Sequence, residues 1–486
     1  MELHLALDHA GDLTAQIVHH IRDAIQGGRL EAGARMPPSR LLGTQLGVAR
    51  KTVTTAYERL VAEGWLHARI GDGTYVAHGL ARSAVRIAAA PVQPPAVQRW
   101  LAVPTPFLAP SGGARYAFQP GQADTTRFPH EAWARCVRAA LAAERVRAPG
   151  PADAAGEMPL RQAIARHIAF TRGVQSAPTD ILVTSGAQQG IDLLARLLLG
   201  PGAVVAMEDP GYPMARALFQ GLGAPVVPVP VDAEGLVVAA LPSDATLVYV
   251  TPSHQSPLGV PMSLARRQAL LDWAARRHAV ILEDDYDSEF RYGGQALDAL
   301  QTLDRHGRVV YLGTFSKTLA ANLRGGYVVV PPWLMPAARK VKHLMDWYTP
   351  TLLQQALARF LSEGHLLRHI RRSHARHAQR RARLLARLQG DLSPWLEPLP
   401  AVAGFHLAAR LRVPVATEAL VSMARLADLE LATLDPCYAS PPASCAGLLL
   451  GFGAIDLLDI DPALDRLAMV LSALAPAPPP IAPSIA

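Results

Sequence analysis

The stretch that decides the fold reads Gly313-Thr-Phe-Ser-Lys317-Thr-Leu-Ala-Ala-Asn-Leu-Arg324-Gly325-Gly326, and an apolar run at 309–312 leads into it. That run predicts a buried parallel strand. Lys317 lies among small and hydroxyl-bearing residues, where a lysine loses its proton more easily than in solvent, and a neutral amine can form a Schiff base. Thr314, Ser316 and Arg324 are donors that suit a phosphate group. Two interpretations stay open for this stretch: a pyridoxal phosphate (PLP) site, or a surface loop that holds a lysine and an arginine.

A second stretch, at 181–190, is typical of a strand, a tight turn and the start of a helix. Gly186 permits the turn, and the backbone amides of Ala187 and Gln188 open the helix. A helix N-terminus carries free N–H groups and a partial positive charge, so it binds phosphate well. This stretch therefore predicts the phosphate end of the same site.

Two further stretches also follow predicted strands. The strand at 279–282 ends in acids that include Asp284, and a carboxylate there can keep a pyridinium nitrogen protonated. The turn at 208–213 follows the strand at 204–207 and presents Tyr212, a ring that could stack on the cofactor. Each stretch has an ordinary alternative, a satisfied acidic strand end or a Gly-Pro turn. Four such stretches in this order favour a PLP site.

In their order and in their residues, these stretches closely resemble the fold-type I aminotransferases. The resemblance extends from about Tyr116 to about Ala473. The resemblance implies that Lys317 forms the Schiff base with PLP, that Asp284 pairs with the pyridine nitrogen, and that Tyr286 binds the ring hydroxyl. It places the other cofactor contacts at Gly186, Ala187, Gln188, Tyr212, Ser256, Thr314, Ser316 and Arg324. Tyr212 would stack on the ring.

Two positions depart from the aminotransferase pattern. At 254–259 the chain reads His-Gln-Ser-Pro-Leu-Gly, and Ser256 is smaller than the Asn, Tyr or Phe that is usual there. At 447–452, Leu449 stands where aminotransferases place an arginine for the substrate α-carboxylate. A leucine cannot make a bidentate contact, so we expect poor turnover of ordinary amino acids unless another arginine, such as Arg216, replaces it.

After Thr184, short apolar runs alternate with helical stretches, which predicts an α/β domain with a mostly parallel sheet covered on both faces. The predicted strands include 204–207, 226–229, 247–250, 280–282, 309–312 and 327–330. Past Leu334 the pattern predicts a small C-terminal α+β subdomain. The aminotransferase-like domain is predicted to span 116–474, with a disordered Pro-Ala-rich tail at 475–486.

Residues 1–78 predict a small helical domain. Apolar residues recur every fourth position from Leu13 to Ile25, which gives the first helix one apolar face. Ser39 is predicted to cap a second helix at 40–46. The Gly-Val-Ala run that follows has the length and chemistry of a helix-turn-helix corner.

A third helix is predicted at 50–63, followed by a two-stranded wing at 65–77. Its first residues are basic or carry hydroxyls, as in a recognition helix that meets base edges and phosphates. The predicted DNA contacts are Ser39, Arg40, Arg50, Lys51, Thr52, Thr54, Tyr57, Arg69 and Gly73. The domain holds eight Lys/Arg and eight Asp/Glu, so charge does not discriminate DNA binding from a protein-interaction domain.

The sequence motifs of this domain favour DNA binding. Leu46-Gly47-Val48, Ala62-Glu63-Gly64-Trp65-Leu66 and Gly73-Thr74-Tyr75-Val76 closely resemble the GntR-type winged helix. From 79 to 115 the sequence turns to Ala, Val and Pro, which predicts an extended linker. A winged helix, a linker and an aminotransferase-like domain together resemble the MocR/GabR-type regulators of the GntR family.

This resemblance implies a PLP-dependent transcription factor that binds double-stranded operator DNA, forms a homodimer and senses an amine, an amino acid or PLP itself. The rival class is a catalytically active PLP-dependent aminotransferase, which needs no DNA-binding domain. Lys317, Asp284 and Tyr286 leave half-reactions possible. They also argue against a third interpretation, a DNA-binding scaffold with an inactive site.

Composition predicts a cytoplasmic protein of two or three domains. The 486 residues are 50% apolar, yet they include no uninterrupted apolar run long enough for a bilayer, and the first residues lack a signal peptide. The three cysteines, at 136, 437 and 445, lack metal-ligand spacing, so no metal site is predicted. The net charge of +7 permits a nucleic-acid partner.

One more stretch, 365–387, predicts a long basic helix. It carries eight arginines and no acids, so its charge exceeds the +7 of the whole chain. The favoured interpretation is a helix whose apolar face packs on the domain and whose arginines are solvated or paired with distant acids. The alternative is that Arg372, Arg376 and Arg380 contact DNA phosphates.

Overall fold

The structure is a computed structural model, and it describes residues 7–8, 11–78, 93–106, 113–146, 150–287, 289–293, 298–440 and 446–475. The chain divides into two compact units, Met1–Pro95 and Ala96–Ala486. The predicted disordered tail lies outside the described residues, except for Ala475. The same holds for 79–92 and 107–112 of the predicted linker.

The N-terminal unit is a winged helix-turn-helix, as predicted. It consists of α1 (Leu13–Gln26), α2 (Ser39–Leu46), α3 (Arg50–Ala62), β1 (Leu66–Arg69) and β2 (Gly73–Val76). Asp12 starts α1, because its carboxylate accepts hydrogen bonds from the backbone amides of Thr14 and Ala15. The helices and the hairpin enclose one apolar core that includes Ile17, Ile21, Leu42, Val53, Leu60 and Val76.

The corner between α2 and α3 has the expected geometry. Gly47 ends α2 with φ 66°, in the left-handed region that glycine enters without strain. The prediction that Ser39 caps α2 is wrong: Ser39 is the first helical residue, Pro38 is the N-cap, and no described side chain caps this helix. Because Pro38 fixes its own φ, it orders the entry to the helix without a side-chain hydrogen bond.

The remaining elements lie from Pro95 onward. The helices are α4 (Pro95–Ala102), α5 (His130–Glu144), α6 (Met158–Arg172), α7 (Ala187–Leu198), α8 (Pro213–Gly221), α9 (Leu264–Arg277), α10 (Met335–Asp346), α11 (Thr351–Ser362), α12 (His365–Gln389), α13 (Thr417–Leu426) and α14 (Ile460–Leu474). The strands are β3 (Tyr116–Ala117), β4 (Ile181–Thr184), β5 (Val204–Asp209), β6 (Val226–Asp232), β7 (Gly235–Leu236), β8 (Ala245–Val250), β9 (Val280–Asp285), β10 (Val309–Thr314), β11 (Gly326–Val329), β12 (Leu396–Pro398), β13 (His406–Leu411), β14 (Leu429–Glu430), β15 (Ala432–Thr433) and β16 (Gly447–Gly451).

Eight strands form the central sheet, in the order β4-β11-β10-β9-β8-β5-β6-β7. The neighbours from β10 to β6 pair in parallel, whereas β11 and β7 run antiparallel to the strands beside them. The prediction of a mostly parallel sheet is confirmed, and every apolar run named above is a strand. Because β4, β5, β8, β9 and β10 point the same way, their carboxyl ends meet at one edge.

Helices cover both faces of this sheet, and the side chains of β5 show how. Val205 and Met207 are fully buried in a cluster with apolar residues of α7 and α8. Ala206, between them, points to the other face and packs in a cluster with residues of α9. Successive strand residues alternate between faces, so a strand covered on both sides is apolar throughout.

The C-terminal subdomain has a four-stranded sheet in the order β12-β13-β16-β15, packed with α13 and α14. The first strand after the linker, β3, belongs here as well, because it pairs in parallel with β14. Tyr116 of β3 is 5% exposed and lies in the same apolar cluster. The subdomain therefore combines β3, from the start of the predicted aminotransferase-like domain, with α14 from its end.

The prediction of an extended linker is wrong for the residues of α4. This short helix lies on α8: the Trp100 ring is so close to Gly221 that a Cβ there would overlap it. Arg99 donates from Nε to the carbonyl of Gly221 at 3.0 Å. The Pro- and Ala-rich composition of the stretch around it hid this eight-residue helix.

The basic helix α12 exists, and its C-terminal half is paired as in the favoured interpretation. Arg383 and Arg387 both contact Asp461, at 2.6 and 3.2 Å. Arg380 is 6% exposed and donates to Asp124 at 2.9 Å and to the carbonyl of Gly453. Arg380 is therefore not available to a DNA phosphate, and the alternative interpretation is wrong for this residue.

None of the helices in the described part of the chain combines the length and the hydropathy that a membrane span requires.

Candidate functional site

The four stretches singled out in the sequence converge at the carboxyl edge of the sheet. A cavity of about 300 Å³ opens there, in the lower range for small-ligand sites. Its lining residues are Pro120, Gly121, Ala187, Gln188, Tyr212, Pro213, Tyr249, Thr251, Ser256, Asp284, Tyr286, Thr314, Ser316, Lys317, Ala321, Arg324, His406, Cys437 and Leu449. Every residue predicted to contact the cofactor lines the cavity except Gly186, which lies directly before α7.

Lys317 follows β10 by three residues, and its amine points into this cavity. Nζ donates to the carbonyl of Gly121 at 2.5 Å. Burial lowers the pKa of Lys317, while the carboxylates of Asp287 and Asp284 partly oppose that shift. The amine is thus easier to deprotonate than a solvated lysine, as its reaction with a carbonyl group requires.

Asp284 lies near the end of β9 and is 5% exposed. Its Oδ2 accepts a hydrogen bond from the Tyr249 hydroxyl at 2.5 Å. Its Oδ1 is buried, and no group among the described residues donates to it. Burial raises the pKa of Asp284 to about 7, although Tyr249 and Lys317 act in the opposite direction. A buried acceptor without a donor fits a protonated ring nitrogen of a cofactor.

The other acids at the end of β9 have protein partners. Glu283 accepts from the backbone amides of Leu300 and Gln301, at 2.7 and 2.9 Å. Asp285 forms a buried ion pair with Arg172 at 2.6 Å. Of these three neighbouring carboxylates, only that of Asp284 lines the cavity.

The start of α7 and the loop after β10 form the cationic end of the cavity. Gly186 has φ 85° and precedes the first helical residue, Ala187. A Cβ at Gly186 would lie 3.0 Å from the Arg324 guanidinium, which itself donates to the carbonyl of Ser185 at 2.9 Å. Thr314 donates from its hydroxyl to Ser316 at 3.1 Å. Helix amides, hydroxyls and a guanidinium together suit a phosphate group.

Three rings lie beside this arrangement. Tyr212 is the N-cap residue of α8, and burial raises the pKa of its hydroxyl. The Tyr286 hydroxyl lies 3.1 Å from Nδ1 of His254. That histidine also contacts Asp287 at 2.9 Å, and both side chains are 2% exposed. Ser256 lines the cavity, as its position in the motif predicts.

The sequence analysis missed several residues of the cavity. Tyr249 on β8 is paired with Leu282 across the sheet, which brings its hydroxyl to Asp284. A polar ring in an apolar strand next to the acidic strand is a signal that could have indicated it. Gly121 and His406 carry no such signal, because they come from loops and a subdomain that only the tertiary fold brings to the cavity.

The structure places Leu449 in the wall of the cavity, where it is 4% exposed. Arg216, considered as a replacement for the missing arginine, does not line the cavity. It is 7% exposed and donates to the carbonyl of Cys437 at 2.7 Å and to Asp209 at 3.2 Å.

Most of the predicted DNA contacts lie at the surface of the winged helix. Arg40, Arg50, Lys51, Arg69 and Gly73 are exposed, and Ser39, Thr52 and Thr54 are partly so. The prediction for Tyr57 is wrong, because this residue is 7% exposed and its hydroxyl donates to the carbonyl of Pro37 at 2.8 Å. Tyr57 supports α3 from inside the core.

The comparisons with known families divide the chain in the same place as the structure. Residues 13–76 match the gntR family of bacterial regulatory proteins. Residues 124–429 match the aminotransferases of class I and II.

Relatives that combine both parts cover nearly the whole chain. The probable rhizopine catabolism regulatory protein MocR of Rhizobium meliloti is 38% identical over 462 residues, which cover 93% of this chain and 92% of the relative. The pyridoxine biosynthesis transcriptional regulator PdxR of Corynebacterium glutamicum is 34% identical, with 91% of this chain and 92% of the relative covered. The regulator TauR of Rhodobacter capsulatus is 37% identical, with 84% and 88% covered.

Solved structures similar to the chain include aminotransferases. The kynurenine aminotransferase of Pyrococcus horikoshii has a TM-score of 0.68 at 26% identity, over 79% of this chain and 95% of that structure. The α-aminoadipate aminotransferase LysN of Thermus thermophilus has a TM-score of 0.67, also at 26% identity, with 79% and 96% covered. The fold predicted for the second unit is confirmed.

The chain combines a winged helix of the gntR type with an aminotransferase fold whose cavity suits PLP. The relatives that match both parts are transcriptional regulators. The chain belongs to the MocR/GabR-type group of gntR-family transcriptional regulators, which bind DNA and PLP.

Proposed function

We propose that the cavity at the strand ends binds PLP, with the ring nitrogen at Asp284, the phosphate at the start of α7 and the covalent attachment at Lys317. The observation that carries this proposal is Oδ1 of Asp284, a buried acceptor without a described donor in the cavity that Lys317 also lines. Oδ2 already accepts from Tyr249, so Oδ1 is the atom that would accept a hydrogen bond from the protonated ring nitrogen.

Bound PLP supplies an aldehyde that condenses with amines and a protonated ring that withdraws electrons. Lys317 offers the amine, and its lowered pKa increases the unprotonated fraction. Tyr286 orients the ring hydroxyl, and Tyr212 covers one face of the ring. Arg324, Thr314, Ser316 and the first amides of α7 hold the phosphate.

The rest of the cavity wall supports a class of effector. Leu449 is apolar, and burial lowers the pKa of His406 to about 4, so its imidazole is neutral near pH 7. Among the described lining residues, Arg324 provides the guanidinium, and it belongs to the phosphate end. We infer an effector that needs no bidentate carboxylate contact: an amine, a weakly held amino acid, or PLP itself.

The test of this assignment is an absorbance spectrum of the purified protein, titrated with amines and amino acids and followed in parallel by operator binding. We expect a yellow protein whose visible band is removed by borohydride, and an effector that changes both the band and the affinity for DNA. A protein that stays colourless after PLP is added would overturn the proposal.

The winged helix supports operator recognition through the start of α3. Arg50 and Lys51 are exposed there, and neither has a carboxylate within 4.0 Å among the described residues. Arg50→Ala should weaken operator binding by about 1–3 kcal/mol if it contacts a base. Unchanged binding by an Arg50→Ala, Lys51→Ala protein would show that a different element contacts the DNA. Because a regulator of this kind works where the operator DNA lies, we propose a cytoplasmic location.

A homodimer is supported by an apolar surface at the end of α10 and the start of α11. Leu344 is 78% exposed, Trp347 66%, Leu353 40% and Tyr348 37%. Contiguous exposed apolar side chains of this size mark interaction surfaces. We propose that a second copy of the chain covers them. Sedimentation should show a dimer for the native protein and a monomer for Leu344→Glu, Trp347→Glu.

A second candidate function is an aminotransferase half-reaction, since the Lys317 and Asp284 geometry that it needs is present. Leu449 removes the carboxylate contact that sustained turnover of α-amino acids uses. We therefore expect amino acids to react once and slowly. Steady-state turnover on the order of 10 per second, a typical enzyme rate, would favour the enzyme over the regulator.

A further inference from the structure

A second cavity in the second unit is larger than the cofactor cavity. It measures about 810 Å³ and lies between the start of α5 and the first three turns of α12. Five arginines line it, Arg127, Arg135, Arg368, Arg372 and Arg376, and Glu131 is the acid among its lining residues. We call this cavity the arginine bowl.

The arginines of the bowl gather for a geometric reason. Arg368, Arg372 and Arg376 follow one another at four-residue intervals, so they lie on one face of α12. Like charges at this spacing repel, which destabilises a helix unless an anion offsets them. Arg127 and Arg135 bring two more cations to the same space from the opposite wall.

The acidic side chains of the protein neutralise little of the positive charge in the bowl. Arg376 lies 3.9 Å from Asp124, which is closer to Arg380 at 2.9 Å. Arg368 donates to the backbone carbonyl of Glu363 and to Nδ1 of His365, and neither acceptor is a carboxylate. Across the described residues, Arg127, Arg135, Arg368 and Arg372 have no carboxylate oxygen within 4.0 Å.

The floor of the bowl adds no negative charge. His369 is 7% exposed, and its pKa is lowered first by burial and then by the charge of Arg376, which disfavours a cationic imidazole. The first residues of α5, His130 to Ala132, also line the bowl and present a helix N-terminus to it. In contrast, the next turns of α12 carry Arg383 and Arg387, each bonded to Asp461.

We propose that the arginine bowl binds a small molecule that carries two or more linked phosphate groups. Guanidinium groups match phosphate oxygens in bidentate pairs, and an anion of this kind supplies the missing counter-charge. The bowl is concave, with a volume typical of sites for small ligands. This shape favours a compact ligand over the backbone of a DNA duplex, which needs an extended track of cations.

The probe for this site is inorganic pyrophosphate, titrated calorimetrically into the full-length, PLP-loaded protein at low salt. The test variant is Arg368→Gln, Arg372→Gln, which removes two guanidinium groups and keeps side-chain length. The matched control is Arg371→Gln, Arg383→Gln, which removes the same charge from the same helix outside the bowl.

Native and control proteins should bind pyrophosphate equally, and the test variant at least about tenfold more weakly. No binding by the native protein, or an equal loss in both variants, would overturn the proposal. The proposal would also fail if pyrophosphate did not bind and the salt dependence of operator binding changed in the test variant alone. A fall of about two units in the slope of log binding constant against log salt concentration would show that the bowl contacts DNA. None of these results depends on which effector the cofactor cavity recognises.

Discussion

The cofactor cavity and the arginine bowl are both concave and both lined by cations, but their charges are arranged in opposite ways. In the cofactor cavity, one lysine and one arginine share an enclosed space with the carboxylate of Asp284. In the bowl, five arginines share a more open space with Glu131. A buried charge must be offset by nearby groups of the protein, whereas an open site can leave its charges to solvent and ligand.

One acid connects the two regions. Asp124 accepts from Arg380 and lies close to Arg376, which lines the bowl. Three residues earlier in the chain, the carbonyl of Gly121 accepts from Lys317 in the cofactor cavity. The segment between them therefore has one end in each region, and the following predictions test the two ends separately.

The largest effect is expected at Lys317, because no other described lysine lines the cavity. Lys317→Ala should abolish covalent attachment of PLP completely, while the arginine bowl still binds pyrophosphate. Borohydride reduction followed by mass spectrometry measures the attachment. A reduced adduct on the variant would show that a different amine reacts.

Asp284→Asn should weaken PLP binding by about 2–5 kcal/mol, because the ring nitrogen would lose its charged partner. The substitution keeps the shape of the side chain and an acceptor for Tyr249. Equilibrium dialysis measures the affinity, and Glu131→Gln in the bowl is the control, with no change expected. Equal PLP affinity for Asp284→Asn and the native protein would contradict the assigned role.

Arg380→Gln should destabilise the second unit by about 2–4 kcal/mol, since it leaves the buried Asp124 without its closest cation. Arg372→Gln, an exposed change on the same helix, should stay within about 0.5 kcal/mol. Thermal unfolding of the PLP-free protein measures both. Equal effects would show that the paired and open halves of α12 do not differ as described.

The last prediction concerns the stability of the PLP-free protein and its dependence on pH. The pKa of Asp284 rises from 3.8 to about 7 on folding, so the folded state holds its proton longer than the unfolded chain. Stability contributed by this group is then lost as pH rises from about 4 to 7. Asp284→Asn should be more stable than the native protein by up to about 4 kcal/mol above pH 7 and equal to it near pH 4. A difference that does not vary with pH would contradict the buried titration.

The sequence by itself determined the two-part architecture and the chemistry of the cofactor cavity. Each of its motifs follows an apolar strand, and parallel strands bring their ends to one edge, so Lys317 and Asp284 could be assigned to one site from local patterns. The recognition helix was marked in the same local way by its glycine corner and its basic start.

Only the tertiary structure decided which of the neighbouring acids keeps an oxygen without a donor among the described residues. Glu283, Asp284 and Asp285 are consecutive in the sequence. Arg172 pairs with Asp285, and the backbone amides at 300–301 donate to Glu283, so neither group binds Asp284. The same holds for α12, where Asp124 and Asp461 neutralise some arginines and leave the bowl charged. These pairings join residues far apart in the chain, and no local window of sequence encodes the packing that brings them within hydrogen-bond distance.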